Sequence, residues 1–343
     1  MIVAAKIEMN KKIKVFGARV LNRLGLIARW TPRRSVVILM YHRVNRNPDC
    51  LGLTVSPELF SLQLRYLKER FHLVSLKDAV WMLGEGSVDT RCCAITFDDG
   101  YRDNFETAAP LLTEHGVPAT IFVTYEAIES GQFGWTAFDR TILNFPEAKL
   151  DLNDWGLGEY PLESQSRREE AVSALHRQLK RQADSLKREV VGHVVSKYGD
   201  ESSAERIMMN WDEVRQLAED DLFTIGAHTI THPILSRVSH DHAAHEITDC
   251  KHLLEAKIGQ SVDFFAYPNG GKEDVNDDIK SIVKQSKYAA ACTTISGLNI
   301  PYCDEFALKR IDVTTSMSTD CCEQFSPDMF EFYISCILNN KYE

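Results

Sequence analysis

The sequence predicts an α/β fold, an irregular (β/α)7-type barrel with a helical insertion, and three observations carry that expectation. Short apolar runs of strand length alternate with longer stretches of helical periodicity. Helix-capping and helix-ending residues fall between them. Two of the apolar runs lead directly into clusters of charged or imidazole side chains, the order expected where parallel strands end under loops that carry chemistry. A chain of 343 residues with 44% hydrophobic content can bury one large core of this kind.

Residues 1–34 read as a basic amphipathic N-terminal segment ahead of a domain over 35–343. Met1 to Ala5 is apolar, but Lys6 and Glu8 interrupt it before a signal-peptide core forms. No stretch approaches the roughly 20 apolar residues that span a bilayer. From residue 11 to 34, Lys11, Lys12, Lys14, Arg19, Arg23, Arg29, Arg33 and Arg34 alternate with Ile13, Val15, Phe16, Val20, Leu21, Leu24, Leu26, Ile27 and Trp30. Such a helix either rests on an anionic membrane surface or packs on the domain with its basic face solvated.

The predicted strands are Val36–Tyr41, Cys92–Phe97, Ala119–Thr124, Phe223–Ala227, Asp263–Tyr267, Ala289–Thr294 and Leu308–Val313. Between them, Ser56 with Pro57 opens a helix, Asp103 with Glu106 resembles a capping box, and Gly116 ends that helix before Pro118. Ser239 opens another helix that Gly259 closes. From Gly134 to about Asn210 no strand is expected. A polar helical run from Glu163 to Tyr198 carries Val172, Leu175, Leu179, Leu186, Val190 and Val194 at helical spacing. That region, about 134–210, reads as an insertion forming a helical cap or arm beside the active site.

Composition narrows the function. A net charge of −10 argues against a nucleic-acid binder. Nine cysteines, with adjacent pairs at Cys92-Cys93 and Cys321-Cys322 and no CxxC, fit free thiols in a reducing compartment. The expected location is cytoplasmic, with peripheral attachment to the inner face of the membrane open through residues 11–34.

Two stretches carry the chemistry: Thr96-Phe97-Asp98-Asp99-Gly100 and His228-Thr229-Ile230-Thr231-His232-Pro233, each after a predicted buried strand. Asp-Asp-Gly alone reads as a turn, and a lone His at a strand end as structural. Together, a carboxylate and two imidazoles can converge on a divalent metal and leave positions open for water, the pattern of a catalytic site. His240, His242 and His245 read as solvated helix positions, and His72, His115, His176, His193 and His252 likewise.

Thr96-Phe97-Asp98-Asp99-Gly100, followed by a helix and Pro118-Ala119-Thr120-Ile121-Phe122-Val123, resembles the polysaccharide deacetylases: the NodB-homology enzymes, carbohydrate esterase family four. Gly226 to Pro233 is similar to their second motif and Phe264 to Gly270 to their third. The resemblance implies that Asp99, His228 and His232 bind the metal, that Asp98 is the general base, and that the backbone N–H of Asn269 meets the oxyanion. It also implies substrate contacts at Tyr267 and Pro268. Two departures stand out: Ala266 occupies the place of an Arg that orients the base, and the C-terminal Leu-His-Asp motif is absent. Met40-Tyr41-His42-Arg43-Val44 and Leu308-Lys309-Arg310-Ile311 resemble the branch acting on poly-N-acetylglucosamine, which implies His42 as acid and Arg310 as the group orienting Asp98. The expected activity is metal-dependent removal of N-acetyl groups from amino sugars of a polysaccharide or glycan intermediate. Zn2+ is the expected ion, with Co2+, Ni2+ or Mn2+ as substitutes. The alternatives are a deacylase of another small amide or lipid-linked sugar, and a catalytically silent glycan-binding protein.

Overall fold

The computed structural model describes residues 2–49, 51–199 and 205–335. Seven parallel strands run around a central core: β1 (Val36–Tyr41), β2 (Cys92–Phe97), β3 (Ala119–Val123), β4 (Phe223–Ala227), β5 (Phe264–Ala266), β6 (Ala290–Cys292) and β7 (Ile311–Asp312). Their spatial order is β6-β5-β4-β3-β2-β1-β7, so sequential strands are neighbours. β7 pairs with β1 through Leu39 to Ile311 and Met40 to Asp312. Just before it, Leu308 forms a parallel bridge to Cys292 at the end of β6. One segment therefore closes the ring by pairing first with β6 and then with β1. A short strand, His72–Leu73, adds parallel to the start of β2.

β1 and β2 are buried along their whole length, as expected of parallel strands covered on both faces. Alternate residues divide between two cores. Val36, Ile38, Cys92, Ala94, Phe122, Phe264, Ala266, Ala290, Cys292 and Leu308 fill the interior, while Val37, Leu39, Tyr41, Cys93, Ile95 and Phe97 pack outward against the helices. The interior parity of β2 continues through Thr96 to Asp98, and that of the closing segment through Arg310 to Asp312, so the core set leads directly into the polar site.

Ser56 caps its helix by accepting from the Leu59 N–H, Gly116 ends its helix at φ 62°, and Ser239 and Gly259 bound theirs. Asp103 does not cap: its carboxylate instead accepts from Arg43 Nε at 2.8 Å and from the Val44 N–H at 3.1 Å, tethering the loop after β1. The insertion has its own apolar core, centred on Phe138, Leu150, Val172, Leu175, Val190 and Val194. It contains helices Gly134–Leu143, Gln165–Leu179 and Asp184–Tyr198. It also contains strands where none was expected, an antiparallel pair Lys149–Asp151 and Glu159–Pro161. Three-residue strands are too short to leave a periodic signal.

At the N-terminus, helices Ile2–Arg23 and Leu26–Trp30 pack through Val15, Ala18 and Ile27 on Met329 and Phe332 of the helix Pro327–Ile334. Among the described residues no helix is long and apolar enough to cross a membrane, and the seven described cysteines are unpaired thiols.

Candidate active site

The end of β2 sets two carboxylates in different directions. The Asp98 N–H donates to Tyr41 O at 2.9 Å, tying the turn to the end of β1. Asp99 then adopts φ 73° and Gly100 φ 85°, a left-handed reversal that Asp tolerates and Gly favours. A Cβ at Gly100 would also meet Val123 and Ile128 side chains at 3.0 Å.

Asp98 faces Arg310, which is fully buried. Arg310 Nη1 and Nη2 donate to the two Asp98 oxygens at 2.7 Å each, Nη1 also reaches Thr96 Oγ1 at 3.1 Å, and Nε donates to Thr293 O at 2.9 Å. A guanidinium so fixed presents the forked geometry that suits a carboxylate. Burial alone would raise the Asp98 pKa, but the charge of Arg310, then that of His228, outweighs it and leaves the group below the usual carboxylate range.

Asp99 faces the histidines. His228 Nε2 lies 3.6 Å and His232 Nε2 3.5 Å from Asp99 Oδ1. The ligand atoms of the three residues lie within 4.8 Å of one another. His228 Nδ1 pairs with Ala266 O at 2.7 Å. A carbonyl only accepts, so Nδ1 donates to it, and this bond turns Nε2 toward Asp99. Ala266 stands at the place where the family pattern puts Arg, and Arg310, just before β7, brings a guanidinium to Asp98 instead. The loop between the histidines turns through left-handed residues Thr229 (φ 65°) and His232 (φ 61°). Buried Glu246 holds it, accepting from the N–H groups of Ile230 and Thr231 at 2.8 and 2.9 Å and from Thr231 Oγ1 at 2.6 Å.

This donor set fits a divalent cation. Burial raises Asp99 above the ordinary carboxylate range despite His42 and His228 nearby. Burial, then the charges of His228, Lys187 and Lys180, hold His232 well below the ordinary imidazole range. A cation would offset the buried carboxylate, and neutral imidazole is the form that coordinates.

The three ligand candidates and Asp98 open onto a cleft of about 680 Å³, lined also by His42, Asn269, Thr294 and Asp312. Asn269 sits at φ 61°, and Thr294 Oγ1 donates to its carbonyl. Its N–H donates to no protein acceptor among the described residues. His42 is held by its backbone, whose carbonyl accepts from Asn104 Nδ2 at 2.8 Å.

Two expected substrate contacts do not reach the cleft. Tyr267 is buried in the outer core with its hydroxyl donating to Phe306 O at 2.9 Å, and Pro268 is also buried. At that turn the cleft wall is Asn269 and Thr294. His176, expected on the solvated surface, is a second correction: it is buried, meets Asp139 at 2.6 Å and stacks on Trp135 with ring centres 4.3 Å apart. His240 and His245 do lie exposed.

The insertion builds one wall of the cleft with Trp135, Asp139, Arg140, His176 and Lys180. Phe133, just before it, sets its ring edge against His232 at 5.1 Å. Sequence reading missed these residues because their significance lies in helix-to-helix pairing within the insertion; the one available signal was Trp135 beside the polar Asp139-Arg140 pair.

A family model described as polysaccharide deacetylase matches residues 85–157 and 176–291. YxkH of Bacillus subtilis (strain 168), a protein described under the same family name, is 34% identical over 93 residues, 26% of this chain. That match spans only 32% of the relative's own length. Among solved structures, the Streptococcus pyogenes deacetylase PplD in complex with acetate is similar with a TM-score of 0.59 at 19% identity, covering 88% of this chain and 99% of that one. IcaB from Ammonifex degensii gives a TM-score of 0.58 at 16% identity, covering 89% and 98%. These two share the curled parallel-strand barrel. With more than half of its length matched by the family model, the chain belongs to the polysaccharide deacetylase family.

Proposed function

We propose that this chain hydrolyses the N-acetyl group of amino sugars in a polysaccharide or glycan intermediate, releasing acetate and a free amine. The observation that carries the reading is the meeting of two arrangements in one cleft: an Asp98 carboxylate clamped by Arg310, and a buried Asp99, His228, His232 donor set.

A divalent cation held by Asp99, His228 and His232, with Zn2+ favoured by the donor types, would supply Lewis acidity toward the acyl oxygen and acidify a water. Asp98, ionised at neutral pH because Arg310 holds its pKa down, accepts the proton of the attacking water. The Asn269 N–H, on the cleft wall and donating to no protein acceptor among the described residues, donates to the developing oxyanion. His42, on the same cleft, supplies the proton that the departing amine needs, since an amide anion is too basic to leave unaided. Trp135, stacked on His176, adds apolar surface to the cleft wall against which a sugar can rest.

The test is acetate release from a panel of N-acetylated glycans and simple amides with added metals. Asp98→Asn should keep the metal yet lose about 10²–10⁴-fold in turnover. Release from amides but not from sugars would favour a deacylase of another small amide. Metal binding with no release from any substrate would favour a silent glycan-binding protein.

A further inference from the structure

The N-terminal helix is apolar on two opposite sides. Val15 and Ala18 face inward on Met329 and Phe332. On the far side, Ile13, Phe16, Val20 and Leu24 are 65%, 70%, 37% and 66% exposed. Their spacing of three and four residues aligns them in one stripe pointing away from the domain. A helix that merely packs on a domain turns polar residues outward, and this one does not.

The borders of the stripe are basic. At 100° per residue, Lys12, Arg19 and Arg23 fall along one edge and Lys14 lies beyond the other, all exposed, with Arg19 also 3.7 Å from Asp328. Residues 11–34 carry eight Lys and Arg and no Asp or Glu, within a chain of net charge −10. Positive charge is thus concentrated where the apolar stripe emerges.

We propose that this helix lies on an anionic lipid leaflet, with Ile13, Phe16, Val20 and Leu24 seated at the boundary of headgroups and acyl chains and the flanking Lys and Arg meeting lipid phosphates. Charge complementarity favours a leaflet, which offers apolar and anionic groups together all along the helix. A second protein is disfavoured by size: four side chains along about 16 Å of helix offer much less than the roughly 800 Å² per partner of a stable protein interface. Lys11 Nζ donates to Thr319 Oγ1 at 3.3 Å, beyond the exit of β7, while the chain enters β1 from the opposite end of the barrel. The helix therefore runs along the barrel flank.

The test is co-sedimentation of the full chain with vesicles of phosphatidylcholine alone or mixed with phosphatidylglycerol, at low and high salt. The wild type should pellet with the anionic vesicles, remain in solution with neutral ones, and be released by salt. The double variant Phe16→Ser/Leu24→Ser changes only outward side chains, so its melting and its acetate release from a soluble substrate should match wild type while vesicle binding weakens about tenfold or more. Lys14→Glu/Arg23→Glu should weaken binding to anionic vesicles similarly. A wild type that stays in solution with anionic vesicles overturns the proposal, as does a Ser variant that pellets equally. Self-association without lipid that the Ser variant abolishes would assign the stripe to a second copy instead.

Discussion

At the residue scale, the protonation of Asp98 is set by one neighbour. Its pKa is depressed, so it contributes stability above its unfolded value, and that contribution is lost as pH falls through the folded pKa. Arg310→Met removes the largest opposing charge but leaves burial, which raises the Asp98 pKa. The acid limb of the pH–rate profile should therefore move to higher pH, and folding stability should fall by about 3–5 kcal/mol, since a charge is left buried without its partner. pH–rate profiles and chemical denaturation check the two outcomes; an unmoved acid limb would separate Asp98 from the titrating base. His42→Ala should leave metal content intact and slow turnover by about 10²-fold, read by elemental analysis and steady-state kinetics. Residue identities at strand ends were legible because Asp98-Asp99 and His228/His232 are local in sequence. The Arg310 link, 212 residues from its partner, came from the family resemblance and not from periodicity.

At the scale of elements, two π-helical turns sit beside the catalytic loops. Asn104–Ala108 supplies Asn104 to the His42 carbonyl, and His245–Asp249 supplies Glu246 to the loop between the histidines. π turns widen a helix locally and often mark functional sites. Glu246→Gln replaces an acceptor-only carboxylate with a group that carries donors, and at least one of the three donors now satisfied loses its partner. Zinc affinity should drop about 10–100-fold with the fold intact, measured by metal titration alongside circular dichroism. Long aliphatic strands such as β1 and β2 announced themselves, and so did the helices of the insertion. The hairpin at 149–161 did not, because Leu150 is its one fully buried strand residue. Nor did the burial of His176, which depends on an Asp139 contact between separate helices. Tyr267 was misplaced for a related reason: an aromatic beside a motif turn alternates between core and cleft, and here it falls on the core side.

At the scale of the whole molecule, folding leaves a carboxylate and two imidazoles buried together, an arrangement that a cation relieves. Zinc at a hundred times its Kd should add about 2.7 kcal/mol of stability, raising Tm by several degrees, and a chelator should reverse the shift. Calorimetry of the chelated and reloaded protein checks this, with Asp99→Ala expected to show no zinc-dependent shift. A metal-independent Tm in the wild type would count against this donor set.

The segment that closes the ring also carries the guanidinium partner of the proposed base. Arg310 follows Asp98 by 212 residues, so during synthesis the carboxylate emerges well before it has that guanidinium to meet. The segment that bridges β6 to β1 must dock before that pair exists, and the final helix then receives the first one through Val15, Ala18, Met329 and Phe332. Under the proposed function, readiness of the base is tied to the arrival of this segment: a chain that stops short of it holds six of the seven strands and all three donors, yet lacks the guanidinium that clamps Asp98. On the proposed mechanism, a molecule clipped before this segment releases no acetate even though its three donors are in place.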